Sequence, residues 1–237
     1  MPSPESVETI QVLSAGAPKG GVSKCAEVFS RETAHRVACR FATAPVLRAK
    51  MEAGEAEADI VVAPVPSMQA FENDGRIVAG STVVIGSVQA GVAIREGVPD
   101  PDISTPDAFR ETVLGAKSLV CNEASSGIYI IELMERLGIA REAAAKMTRL
   151  PTGAAVLRHI AESEVAGEIG FGQIPEIRRF EGKGVKLVGA LPREIGKVTT
   201  YAAAALSGAL APQAAAAFVG FLATPAAKKI FAENGVM

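Results

Sequence analysis

Tryptophan is absent from this chain of 237 residues, and aromatic residues make up only 5% of it, with two Tyr. The core must therefore be aliphatic, and the plentiful Ala, Val and Gly suit buried parallel strands joined by tight turns. A basic stripe is also missing. The 24 Lys and Arg stand against 26 Asp and Glu, a formal charge of −2, which leaves no electrostatic footprint for nucleic acid. The three cysteines, Cys25, Cys39 and Cys121, have no metal-ligand spacing and cannot all pair with one another. They read as buried thiols, which points to a reducing compartment. No metal and no cofactor are expected.

Long apolar runs are missing too. The longest, Tyr201 to Val219, is broken by Ser207, Gly208, Pro212 and Gln213, so no membrane insertion is expected. Met1-Pro2-Ser3-Pro4-Glu5-Ser6 has neither the charged nor the apolar region of an export signal. As it stands the sequence reads as cytoplasmic, and as periplasmic if a signal has been removed. Neither a Gly-x-Ser-x-Gly elbow nor a Walker loop occurs, so triad hydrolysis and P-loop nucleotide chemistry have no support.

What is there is organised around Val12-Leu13-Ser14-Ala15-Gly16-Ala17-Pro18-Lys19-Gly20-Gly21-Val22-Ser23. An apolar approach (Ile10, Val12, Leu13) runs through small residues into a helical pattern at Val22, Ala26 and Phe29, which predicts a strand, a tight turn and a helix. The first turn of a helix leaves backbone N–H groups unpaired, and the small residues before it leave a ligand room to reach them. Pro18 suits the first helical position, and Lys19 adds a positive charge beside the positive end of the dipole. An ordinary glycine-rich turn with a solvated lysine accounts for the same residues.

The pattern repeats along the chain. Arg36 to Phe41 alternates as a half-buried strand before Thr43-Ala44-Pro45 opens a helix, and Asp59 to Pro64 reads as a strand buried on both faces. Lys117 to Cys121 is a buried strand that ends in Asn122-Glu123-Ala124-Ser125-Ser126-Gly127, a second anion-friendly turn. Gln173 closes a short strand, Gly167 to Gly172. The long extended runs Ser81 to Arg95 and Gly196 to Leu206 read as crossings between two lobes, residues 1–84 plus 197–237 and residues 85–196. Ligands collect at the carboxyl ends of strands in such sheets, so a cleft between the lobes is the expected binding place.

Val12-Leu13-Ser14-Ala15-Gly16-Ala17, Phe41-Ala42-Thr43, Met51-Glu52-Ala53-Gly54, Ala58-Asp59-Ile60, Ser126-Gly127-Ile128-Tyr129 and Phe221-Leu222-Ala223-Thr224-Pro225-Ala226-Ala227 follow one another in an order that resembles the type II solute-binding proteins. The resemblance covers nearly the whole chain and is to the molybdate-binding branch, which also includes aconitate isomerase-like proteins. It implies an α/β, two-lobed type II solute-binding-protein fold, each lobe a mostly parallel sheet flanked by helices. It also implies a small anionic ligand held by hydroxyls and backbone N–H groups, with an ABC-transporter permease as partner. Carried over by position, the ligand set is Ser14, Ala17, Lys19, Thr43, Ser125, Ser126 and Gln173. Ala17 stands where the branch has a serine, and Gln173 where it has a tyrosine.

Two functions follow from that resemblance: capture of an oxyanion or carboxylate for transport or sensing, or an isomerase moving a proton and a double bond in an unsaturated tricarboxylate. The second needs a base over an acidic C–H, and Lys19, Glu123, Tyr129 and Tyr201 are the groups that could move the proton. His35 and His159 read as solvated, and plain helix capping explains Thr43, Ser125 and Ser126 as well as ligand contact does.

Overall fold

The structure is a computed structural model that describes residues 9–237. The segment Met1 to Ser6, read above for an export signal, lies outside them. In chain order the elements are β1 (Thr9–Ala15), α1 (Lys19–Glu32), β2 (Arg36–Ala42), α2 (Ala44–Ala53), β3 (Ile60–Pro64), α3 (Val65–Asn73), β4 (Val83–Arg95), α4 (Pro106–Gly115), β5 (Ser118–Asn122), α5 (Ser125–Arg136), α6 (Ala140–Ala144), β6 (Met147–Leu150), α7 (Gly153–Glu162), β7 (Glu168–Gln173), α8 (Ile174–Arg178), β8 (Val185–Ala190), β9 (Val198–Ala205), α9 (Pro212–Leu222) and α10 (Pro225–Glu233). They form two compact units: one runs to Ser87 and resumes over Thr199–Met237, and the other is Val88–Val198.

In the first unit the strand order is β2-β1-β3-β9, with β1 parallel to both β2 and β3. β2 is the outer strand, which is why its side chains are only half-buried, whereas β3 is buried at every residue but its last. α1 buries Val22, Cys25, Ala26 and Phe29, the i, i+3, i+4, i+7 stripe of a helix lying on a sheet. Phe29 packs against Phe218 and Phe221 of α9, with ring centroids 5.0 and 5.5 Å away.

In the second unit β5 lies between β6 and β7 and runs parallel to both, and β4 pairs with β7 and β8. Alternation along these strands separates two cores. Leu119, Cys121, Ile169 and Phe171 pack with Phe109 of α4 and Tyr129, Ile130 and Leu133 of α5. Val120 faces the other way, towards Val156, Leu157 and Ile160 of α7 and Ile177 of α8. Gly170 shares that second face, where a Cβ would come within 2.8 Å of Ile160.

The structure differs from the sequence reading in four places. β9 runs antiparallel to β3, and β4 antiparallel to β7 and β8, so each sheet is mixed at the strands next to the crossings. Two five-residue helices, α6 and α8, fill stretches too short to show a period. Cys39 is only half-buried, since it sits on the outer strand; all three thiols are free. Burial pushes the Cys25 thiol up to about 12 and that of Cys39 up to about 11, so neither is a thiolate near neutral pH. His159 is not simply solvated: its Nε2 lies 3.2 Å from Oε1 of the buried Glu168.

Candidate functional site

In the first unit, α1, α2 and α3 start just beyond the carboxyl ends of their strands without a side-chain cap. At α1 the Lys19 N–H donates to the Gly16 carbonyl, while the N–H groups of Gly20 and Gly21 make no hydrogen bond among the described residues. These glycines have a structural task of their own. A Cβ on Gly21 would lie 2.3 Å from the Phe231 ring, and one on Gly20 would lie 2.8 Å from Asn234 Oδ1, so the smallness of this turn admits α10 and the residue after it. At α2 the N-terminal Thr43 has extended backbone; among the described residues its hydroxyl and the amides of Ala44 and Val46 make no hydrogen bond, and Pro45 has no N–H to give.

The other sequence-derived candidates of this unit are placed differently. Ser14 is fully buried and donates its hydroxyl to the Ala15 carbonyl at 2.9 Å. Ala17 is buried as well. The Lys19 ammonium stands 5.0 Å over the Phe41 ring, a cation–π contact. Tyr201 is buried in β9, opposite Pro64 at the carboxyl end of β3.

In the second unit the turn from β5 to α5 is organised by Asn122, which sequence reasoning passed over. Its Oδ1 accepts from the N–H of Ala124 at 2.9 Å and of Gly127 at 3.2 Å, and its Nδ2 donates to the Ser126 hydroxyl at 2.8 Å. An asparagine closing a strand two residues before a run of small residues is the signal that could have found it. The turn is tight enough that a Cβ on Gly127 would sit 1.6 Å from the Asn122 carbonyl oxygen. Asn122 leaves the N–H groups of Ser125 and Ser126 without a partner among the described residues.

Gln173 ends β7 on the same sheet edge. The β5–β7 register, Val120 with Gly170, carries on to set Gln173 level with Glu123. Gln173 alternates with Phe171 and Ile169, so its side chain is on the face that α5 covers. It is 6% exposed, and its Oε1 is buried without a hydrogen-bond partner. Glu123 is exposed at this turn. Tyr129 is committed elsewhere: its hydroxyl donates to the Ile195 carbonyl at 2.6 Å and accepts from Arg136 at 3.0 Å.

A family model described as bacterial extracellular solute-binding protein matches residues 10–236. The chain belongs to that family. It is 28% identical over 242 residues to the aconitate isomerase of a Pseudomonas species, covering 98% of this chain and 88% of that one. Among solved structures, it is similar to the periplasmic molybdate-binding protein of Azotobacter vinelandii, at a TM-score of 0.77 and 16% identity over 96% of this chain and 98% of that one. It is also similar to the sulfate-binding protein SubI of Mycobacterium tuberculosis, at 0.76 and 15% over 97% and 86%. At those identities the likeness to the two structures is one of fold.

This solute-binding protein fills several other helix starts from within, though not that of α3. Thr105, Thr152 and Thr224 accept from the third amide of α4, α7 and α10 at 3.1, 3.1 and 3.2 Å. The carboxylate of Glu176 lies against the start of α7, within 2.1 Å of where a Cβ on Gly153 would be. Asp59 accepts from Leu210 and Ala211 ahead of α9, at 2.7 and 3.1 Å. A cavity of about 520 Å³ in the first unit lies among Gln11, Met51, Asp59, Arg76 and Leu206, at the amino ends of β1 and β3. Its polar groups serve the fold, Arg76 donating to the carbonyls of Met51 and Glu52. Among the described residues no cluster of His, Cys, Asp and Glu could hold a metal ion.

Proposed function

We propose that this solute-binding protein captures a small anion, an oxyanion or a carboxylate, with donors left open at helix starts, and serves an ABC-type permease or a sensing pathway. The observation that carries the reading is the set of unpaired donors there: the amides of Gly20, Gly21, Ala44, Val46, Ser125 and Ser126, and the Thr43 hydroxyl. Helix dipoles add a positive potential at each start, so the donors favour a negative guest without a formal cation. The test is a thermal-shift series with molybdate, tungstate, sulfate, citrate, cis-aconitate and trans-aconitate. A ligand at a hundred times its dissociation constant adds about 2.7 kcal/mol of stability and raises the melting temperature accordingly. A flat response to all six contradicts the reading.

The 28% identity to an aconitate isomerase over nearly the whole chain supports a second reading, an allylic proton shift in an unsaturated tricarboxylate. A base takes a proton from the methylene carbon, the double bond moves, and a proton returns at the far end. Of the four groups first considered, Tyr129 and Lys19 already have partners in the fold and Tyr201 is buried. Glu123, exposed beside the start of α5, is the base this reading assigns. Proton NMR of cis-aconitate in heavy water should then show trans-aconitate with deuterium at carbon, and Glu123→Gln should abolish it. Saturable binding with an unchanged spectrum leaves the first reading alone.

A further inference from the structure

We infer that the ligand carries a hydroxyl group besides its negative charge, and that Gln173 selects for it; this rests on the anion-binding reading above. The unpaired amides of Ser125 and Ser126 at the start of α5 are donors, and these suit oxygen atoms that accept. Gln173, on the α5 face of the same sheet edge, adds the opposite kind of group: a carbonyl oxygen, which only accepts. That oxygen is buried and unpartnered, and the residue is 6% exposed, a state that disfavours the fold unless something donates to it. Sulfate and molybdate, fully deprotonated at neutral pH, have no proton to give. A hydroxy acid binds the amides through its carboxylate and donates its hydroxyl to Gln173, satisfying both halves of the site. A site built around a ligand hydroxyl rejects the analogue lacking it, because its own polar group is then left unpaired.

The test is titration calorimetry with three matched pairs: citrate against tricarballylate, malate against succinate, and phosphate against sulfate, with molybdate alongside. In at least one pair the hydroxyl-bearing member should bind about tenfold tighter or more. Gln173→Leu should bring that pair to within about twofold. The same substitution removes an unsatisfied buried oxygen, so the melting temperature of the ligand-free protein should hold or rise, which shows that the variant is folded. Gln173→Met serves as a second variant of similar length. Equal affinity within every pair that binds, or binding of molybdate with none of the hydroxy acids, overturns the inference and leaves anion binding standing. A fall in the ligand-free melting temperature of both variants also overturns it, since Gln173 would then be a fold residue. Silence from all seven compounds removes the anion-binding reading, and the inference with it.

Discussion

Thr105, Thr152 and Thr224 turn their hydroxyls onto the third amide of the helices they precede, whereas Thr43, with the same extended backbone, does not cap its helix. A cap is worth about 1 kcal/mol, so an unused one is a stability the fold forgoes. The starts of α7 and α9 make the point from the other side, because there the chain supplies its own carboxylates, Glu176 and Asp59. Helix starts in this protein thus attract negative oxygens wherever the sequence provides them. At α1, α2 and α3 it provides none, and at α5 Asn122 satisfies part of the turn and leaves two amides over. The difference separates helix starts that the chain closes itself from those whose donors stay open, and the anion-binding proposal rests on the latter.

Substitutions can break this comparison at its strongest points first. Gly127→Ala forces a Cβ into the Asn122 carbonyl and should destabilise by about 4 kcal/mol or more, read as loss of soluble protein or a collapse of the melting temperature. An Ala variant of normal stability would mean that the β5–α5 turn is not the tight platform described. Asp59→Ala comes next. It strips an internal anion from the Gln11, Leu210 and Ala211 amides and should cost about 3 kcal/mol in urea unfolding. A near-neutral result would show that the start of α9 does not need its carboxylate. Thr224→Ala is the mildest, a loss of about 1 kcal/mol with no change in anion affinity, because its hydroxyl serves only α10.

Much of the fold was legible because the hydrophobic period changes cleanly between elements. The continuous apolar run of β3 and the i, i+3, i+4 stripe of α1 each announce their burial. The antiparallel pairing of β4 with β7 and β8 could not be read, since an apolar run looks the same in either direction. The candidate site was legible only as positions: Thr43 precedes α2, Ser125 and Ser126 open α5, and Gln173 ends β7. Which polar atoms remain free was not legible. Sequence cannot tell that the Thr43 hydroxyl stays unbonded while that of Thr224 caps, nor that the Tyr129 hydroxyl goes to Ile195, because both follow from side-chain rotation set by tertiary neighbours. Gly20 and Gly21 carried a double meaning, and their contact with Phe231 and Asn234 depended on a helix some two hundred residues away.

The central claim, that open helix starts are kept for an anion, is tested most directly on Thr43 itself. Thermal unfolding of Thr43→Ala should be followed without ligand and with the anion that gives the largest shift in the wild-type protein. Without ligand the melting point should match wild type, because no cap is lost, and the ligand-induced shift should shrink as affinity falls about tenfold. A variant that melts lower without ligand, yet keeps the full shift, would show that Thr43 is an ordinary helix cap and would contradict the account.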